Sequence, residues 1–100
     1  PREARFEELL GDVAMSQKNA GKALTHYRKA IEMQPEYFHP YVKGGLALDS
    51  LGRTAEAEPM LKRSVELLPT ATSFNFLGRI AEEKGDLNGA MQLYRIASDS

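Results

Sequence analysis

The stretch that decides the fold is residues 77–97, LGRIAEEKGDLNGAMQLYRIA, which has the pattern of two helices joined by a tight turn. Gly85 and Asp86 interrupt the apolar spacing in its middle, as a turn followed by a helix N-cap does. Small residues at Gly78 and Ala90 let two antiparallel helices approach closely, while a large residue of the partner helix fills the space beside each. The stretch therefore predicts a helical hairpin that packs through small residues.

The spacing of this hairpin recurs twice upstream. Gly45 lies 33 residues before Gly78, and Gly11 lies a further 34 residues before Gly45. Positions in the second helix of the hairpin keep the same two steps, and two prolines 34 residues apart end the first two units. The matching columns are Ala23, Ala57 and Ala90; Tyr27, Leu61 and Tyr94; Ala30, Ser64 and Ala97; and Pro35 with Pro69. This shared register predicts three tandem copies of one unit, because unrelated segments would not agree at so many columns.

Each unit has the apolar spacing of helices, and no segment has the alternation of a strand. Asn19, Thr54 and Asp86 precede or begin apolar helical segments and are residue types that cap helix N-termini. We therefore predict an all-α fold of six helices arranged as three antiparallel helix-turn-helix pairs. The predicted helices are residues 3–17, 20–33, 37–51, 54–67, 71–84 and 87–98.

The composition argues against several classes of function. The 13 basic and 14 acidic side chains nearly balance, so the chain lacks the basic excess of a nucleic-acid or anionic-membrane binder. The chain has no cysteine, which excludes disulfides, thiolate metal sites and cysteine nucleophiles. No apolar run approaches the roughly 20 residues that span a bilayer. We expect a soluble domain, and both bacterial cytoplasm and periplasm are compatible with this sequence.

The residue types that most often carry chemistry do not form a recognisable motif. His26 and His39 lie in different helices of different units, without a Glu-rich partner motif near either. Glu7 and Glu8 are adjacent on a helix, so their side chains diverge by about 100° and do not form a carboxylate dyad. No segment has the alternating oxygen ligands of a calcium loop or the Gly-Lys-Ser/Thr ending of a phosphate loop. We expect neither catalysis nor a metal or cofactor in these residues.

The repeated unit resembles the tetratricopeptide repeat, with Leu-Gly-x-x-Ala in its first helix, Ala and then Tyr in its second, and Pro at its end. Residues 9–35 and 74–97 carry the pattern best. Residues 41–69 match it more loosely, because Gly44 and Ser64 replace the usual large residue and Ala. The resemblance implies a single domain over residues 1–100, with repeats at about 4–37, 38–70 and 71–100.

The resemblance also implies an architecture and a class of function. Such repeats stack into a right-handed solenoid in which the first (A) helices line a concave groove and the second (B) helices form the convex back. Members of the family bind peptide segments or other proteins and are seldom catalytic. We therefore expect a protein-interaction module that binds a partner in the groove of the A helices.

The family's groove positions predict where the partner would bind. We expect Lys43 and Arg79 to hold a carboxylate and Phe76 to pack a side chain of the bound peptide. One branch of the family clamps C-terminal carboxylates with Lys and Asn in the first repeat, where this chain has Glu8 and Asp12, so we do not expect that clamp. The predicted groove residues are Glu8, Asp12, His39, Lys43, Leu46, Asn75, Phe76 and Arg79.

Two further interpretations stay open. Residues 87–98 form the last predicted helix, and no sequence follows for a capping helix, so its apolar face can drive self-association into a scaffold. The apolar residues of this helix are Met91, Leu93, Tyr94 and Ile96. Alternatively, the chain is an accessory domain of a larger cell-envelope enzyme, because a start at Pro1 is compatible with excision from a longer protein.

Overall fold

A computed structural model describes residues 2–99, and these form six α-helices and no strand. The helices are α1 (Arg2–Ser16), α2 (Ala20–Met33), α3 (His39–Ser50), α4 (Thr54–Leu67), α5 (Ala71–Glu83) and α6 (Leu87–Ser98). Each helix packs against the next one along the chain, so the three pairs stack into a helical repeat solenoid. The predicted all-α solenoid is confirmed. Helix boundaries differ from the prediction most at α3, which begins at His39 because Pro40, without a backbone N–H, is favoured in a first turn.

Two of the predicted N-caps are confirmed. The side chain of Asn19 accepts a hydrogen bond from the backbone N–H of Lys22, at 3.1 Å. The Asp86 carboxylate accepts one from the backbone N–H of Gly89, at 3.0 Å. Each bond satisfies one of the backbone donors that a helix start leaves without a partner.

The prediction that Thr54 caps α4 is wrong. Thr54 is the first residue inside the helix, and the N-cap is Arg53, whose side chain makes no capping bond. The Thr54 hydroxyl instead lies 3.3 Å from the Asp49 carboxylate of the preceding helix. A cap that was not predicted occurs at Thr70, which directly precedes α5 and accepts a hydrogen bond from the backbone N–H of Ser73 at 3.2 Å.

Within each pair, a glycine of the A helix lies under a large side chain of the B helix, as predicted. A Cβ atom built at Gly78 would lie 2.7 Å from Cε1 of the Tyr94 ring, closer than real contacts allow. At Gly45 the corresponding distance to Cγ of Leu61 is 3.0 Å. Gly11 contacts the Tyr27 ring in the same way. These glycines therefore set how closely the two helices of each pair approach.

The junction between the second and third repeats contains a buried polar contact. Ser64 and Ser73 are both fully buried, and their hydroxyl oxygens lie 3.0 Å apart. Ser64 also donates to the backbone carbonyl of Leu61, at 2.9 Å. The departure from Ala at position 64 therefore introduces no unsatisfied polar group, because the hydroxyl bridges α4 and α5.

The two ends of the stack expose apolar side chains. On α1, Phe6, Leu9 and Val13 are 61%, 44% and 53% exposed, and we name them the N-terminal face. On α6, Leu87 and Met91 are 62% and 58% exposed, and we name them the C-terminal face. In residues 2–99, no helix is long and apolar enough to cross a membrane.

Candidate functional site

Helices α1, α3 and α5 are the A helices of the three repeats, and ion pairs connect each to the next. We name the surface that they share the A-helix face. All eight predicted groove residues lie on these three helices, and they differ in how exposed their side chains are. The charged residues of this face form two clusters, one between α1 and α3 and one between α3 and α5.

The first cluster surrounds Glu8, whose side chain is fully buried. Its carboxylate accepts hydrogen bonds from the Lys43 ammonium, the Tyr37 hydroxyl and the Arg5 guanidinium. Burial alone would raise the pKa of Glu8, but the hydrogen bonds from Lys43, Tyr37 and Arg5 outweigh burial and hold this pKa below its usual range. Glu8 is therefore an ionised internal anchor, with no exposed surface to offer a partner.

Asp12 extends this cluster by one turn of α1. Its carboxylate accepts from the Lys43 ammonium at 2.8 Å and from the Tyr27 hydroxyl at 2.7 Å. Burial, together with the neighbouring Asp12 carboxylate, raises the pKa of the Tyr27 hydroxyl well above its usual range, so Tyr27 stays neutral. Lys43 thus contacts two carboxylates of α1 at once, which neutralises the cation that was expected to hold a ligand.

The second cluster is centred on Arg79 of α5. Its guanidinium donates to Asp49 of α3 at 2.9 Å and to Glu83 of its own helix at 2.9 Å. The same group lies 4.6 Å from the centroid of the Phe76 ring, at cation–π distance. Arg79 remains 44% exposed, so it borders the face while its charge is largely compensated.

Phe76 belongs to the hydrophobic core. Only 6% of its surface is exposed, and it is part of the cluster that includes Leu48 and Ile80. The structure thus places the Phe76 ring inside the solenoid, with the Arg79 guanidinium beside it, rather than open towards a bound side chain.

The A-helix face also carries uncharged side chains that are exposed or half-buried. Leu46 is 40% exposed, and Asn75 is exposed without a side-chain hydrogen bond to any residue in 2–99. His39 is half-buried, with its ring centroid 4.1 Å from that of Phe38. Beside His39, a shallow pocket of about 270 Å³ lies between the start of α3 and the start of α5. Its lining residues are Phe38, His39, Val42, Lys43, Thr70 and Thr72.

The pairing of the groove charges was not predicted, although the repeat register contains a signal for it. Lys43 aligns with Leu9, which follows Glu8 directly and precedes Asp12 by three residues. Two A helices packed in register therefore bring this lysine to the carboxylates of the preceding repeat. The contribution of Tyr37 had no such signal, because it lies in the loop before α3.

The described part of the chain does not gather residues for metal binding. Residues 2–99 contain no group of three or more His, Asp or Glu side chains that could hold a metal ion. His26 lies with its Nδ1 atom 3.0 Å from a Glu7 carboxylate oxygen, across the α1–α2 contact. This contact between His26 and Glu7 connects the two helices of the first repeat.

Comparisons of the sequence with family profiles identify the family. A sequence profile of the tetratricopeptide repeat matches residues 42–100, and a second profile of the same repeat matches residues 8–37. No curated protein sequence matches the chain.

Two solved structures resemble the fold. The crystal structure of MamA is similar with a TM-score of 0.93 and 22% identity, over 97% of this chain and 57% of that chain. This chain thus spans little more than half the length of the MamA structure. The N-terminal domain of stress-induced protein-1 (STI-1) from C. elegans is similar with a TM-score of 0.83 and 27% identity, over 94% of this chain and 80% of that chain. Since the two profile matches together extend over most of the sequence, the chain belongs to the tetratricopeptide-repeat family.

Proposed function

We propose that this tetratricopeptide-repeat domain, a protein-interaction module by family, binds an extended peptide segment of a partner protein along the A-helix face. One observation carries the proposal: the charges of this face are paired within the chain, while a neutral strip between them stays open. The strip consists of Val42, Leu46, Thr72 and Asn75.

The neutral strip favours a particular kind of peptide. Lys43 and Arg79 would have to leave internal carboxylates before either could hold a ligand carboxylate, which costs most of what the new pair would gain. An apolar side chain packed on Leu46 displaces water from apolar surface and needs no such exchange. The preferred segment therefore carries apolar side chains and little charge, in place of the carboxylate that the sequence suggested.

Asn75 supplies directional contacts in this scheme. Its amide has two donors and one acceptor group, which matches the N–H and C=O of a peptide backbone. The pocket beside His39 is smaller than typical small-molecule sites and is suited to one side chain of the peptide. Backbone contacts at Asn75 would fix the position of the peptide, and the pocket would select its sequence.

Substitutions on the strip test the proposal. Peptides are first selected from a random phage-displayed library on the unmodified protein, and their affinities are then measured by calorimetry. We expect Leu46→Asp to weaken binding by roughly tenfold or more, because it places a charge against the apolar side chain of the bound peptide. Asn75→Ala should weaken binding of the same peptides, since the backbone contacts are lost.

The matched control is Leu68→Asp. Leu68 is 46% exposed, close to the 40% of Leu46, but it follows α4 and lies outside the A-helix face. The control should bind with unchanged affinity. Equal binding by the Leu46→Asp and Leu68→Asp variants, or a library that yields no selected peptide, would contradict the proposal.

A further inference from the structure

A groove lies between the first two repeats, where α1 turns into α2 and α3 ends. Its volume is about 540 Å³, twice that of the pocket beside His39 and within the range of binding pockets. We name it the turn-edge groove and define it by Met15, Lys18, Gly21, Ser50 and Leu51, which line it. None of these residues belongs to the neutral strip, so the groove is a separate surface.

Part of the turn-edge groove is apolar and open. Leu51 is 41% exposed, and Met15 is half-buried. A Cβ atom added at Gly21 would meet only Oδ1 of Asn19, at 4.0 Å, so the space beside this glycine is unfilled. An apolar side chain placed on Met15 and Leu51 would displace water from both.

The charge of the turn-edge groove is positive and uncompensated. Lys18 is its one charged lining residue, and the Lys18 ammonium has no hydrogen bond or ion pair with any residue in 2–99. The first turn of α2, which forms one wall, contains no acidic residue. Unlike Lys43, Lys18 could therefore hold a carboxylate of a partner without leaving an internal one.

The backbone of Lys18 is unusual for a lysine. Its φ is 60°, in the left-handed region. The repeat register places Gly52 and Gly85 at the same position, with φ of 74° and 84°. Glycine adopts this conformation readily, whereas a side chain makes it unfavourable. The first repeat thus has a less stable residue at its turn, and such backbone strain is common at binding sites.

The equivalent pocket between the second and third repeats differs in both size and charge. Its volume is about 270 Å³, half that of the turn-edge groove. Leu51 aligns with Lys84, whose ammonium lies 2.7 Å from the Glu58 carboxylate, and both of these charged residues line that pocket. The second junction therefore pairs its charges internally, while the first has an apolar surface beside an unpaired cation.

We propose that the turn-edge groove binds an acidic segment of a partner protein. An apolar side chain of the segment lies on Met15 and Leu51, and a neighbouring carboxylate pairs with the Lys18 ammonium. Charge complementarity favours this occupant, because the groove carries one unpaired cation and no carboxylate among its lining residues in 2–99. The proposal does not depend on the neutral strip, so the two sites can be tested separately.

NMR of the ¹⁵N-labelled chain tests the proposal with defined peptides. The probes are acetylated and amidated hexapeptides that contain one leucine and one glutamate, either adjacent or separated by one or two glycines. We expect the largest shifts in the backbone amides of Lys18, Gly21 and Leu51. Replacing the glutamate of the best probe by glutamine should weaken binding by about two- to fivefold, as the loss of one exposed ion pair does. Replacing its leucine by serine should also weaken binding.

Variants at Lys18 separate binding from stability. Lys18→Gly should raise the midpoint of urea unfolding, because glycine relieves the left-handed backbone, and yet weaken the best probe by about two- to fivefold. Lys18→Arg keeps the charge and should bind like the unmodified chain. The matched control is Lys29→Gln, which removes an unpaired charge from an exposed position of α2 outside the groove. This control should bind with unchanged affinity.

Four results would overturn the proposal. The first is the absence of shifts with every probe. The second is equal binding of the best probe by the unmodified chain and the Lys18→Gly variant. The third is a set of shifts centred on Leu46 and Asn75, which would assign the acidic segment to the neutral strip. The fourth is the same set of shifts with inorganic phosphate alone, which would indicate a general anion site.

Discussion

At the residue scale, the repeated glycines Gly11, Gly45 and Gly78 of the A helices limit the size of the side chains that the solenoid accepts. Gly78 and Gly21 illustrate the contrast between a packed glycine and an open one. A Cβ at Gly78 would contact the Tyr94 ring, whereas a Cβ at Gly21 meets only the Asn19 side chain, at 4.0 Å. Identical substitutions at these two positions should therefore change stability in opposite directions.

We predict that Gly78→Ala lowers the free energy of unfolding by about 1–3 kcal/mol, because the added methyl group overpacks the contact with Tyr94. Gly21→Ala should instead raise it by up to about 1 kcal/mol, because alanine is the better helix former at an open position. Urea denaturation followed by circular dichroism measures both. Equal effects at the two sites would contradict the assignment of Gly78 to a close helix contact.

At the residue scale, some features of the structure could be predicted from the sequence and others could not. The contact of Gly78 with Tyr94 was predictable because small and large residues recur at one spacing in three copies. The capping role assigned to Thr54 was wrong, because residue type alone does not decide whether a helix begins at a residue or just before it. The exposure of Leu46 and the burial of Glu8 depend on contacts between repeats, which no local pattern specifies.

At the element scale, the Lys43 ammonium connects α3 to α1 through the carboxylates of Glu8 and Asp12. We predict that Lys43→Met lowers the free energy of unfolding by about 1–3 kcal/mol, since the buried Glu8 carboxylate loses its ammonium partner. Lys62 offers a matched control, because its side chain is 66% exposed and lies 4.0 Å from Glu58. Lys62→Met should change stability by less than about 0.5 kcal/mol. If both variants unfold at the same urea concentration, the ion pairs of Lys43 between α1 and α3 contribute nothing to the free energy of unfolding.

The same contact predicts how acid affects stability. The folded-state pKa of Glu8 lies below the unfolded value, which is about 4.3, so its ionisation stabilises the fold above that pH. This stabilisation is lost as the pH falls through the folded-state pKa. We therefore expect Glu8→Gln to be less stable than the unmodified chain at pH 6, and the difference to shrink at pH 3. Urea unfolding at both pH values measures it, and a difference that does not change with pH would refute the assignment.

At the scale of the whole molecule, the fold follows from the tandem repeats. The proposed binding strip consists of A-helix residues that form no ion pair between repeats. The helix pairs were predictable because each copy repeats the same local pattern, and the profile matches agree. The predicted groove residues do lie on the A helices, but Glu8 and Phe76 are buried and the cations are engaged. A pattern derived from one helix at a time cannot show that a lysine of one repeat neutralises the carboxylates of another.

The central claim is that a partner peptide lies along the neutral strip of the A-helix face. Two-dimensional NMR of the ¹⁵N-labelled chain, titrated with a library-selected peptide, tests it most directly. We expect the largest shifts in the backbone amides of α3 and α5, centred on Leu46 and Asn75, with small shifts in α2 and α4. Shifts concentrated on α2 and α4, with Leu46 and Asn75 unmoved, would contradict the account.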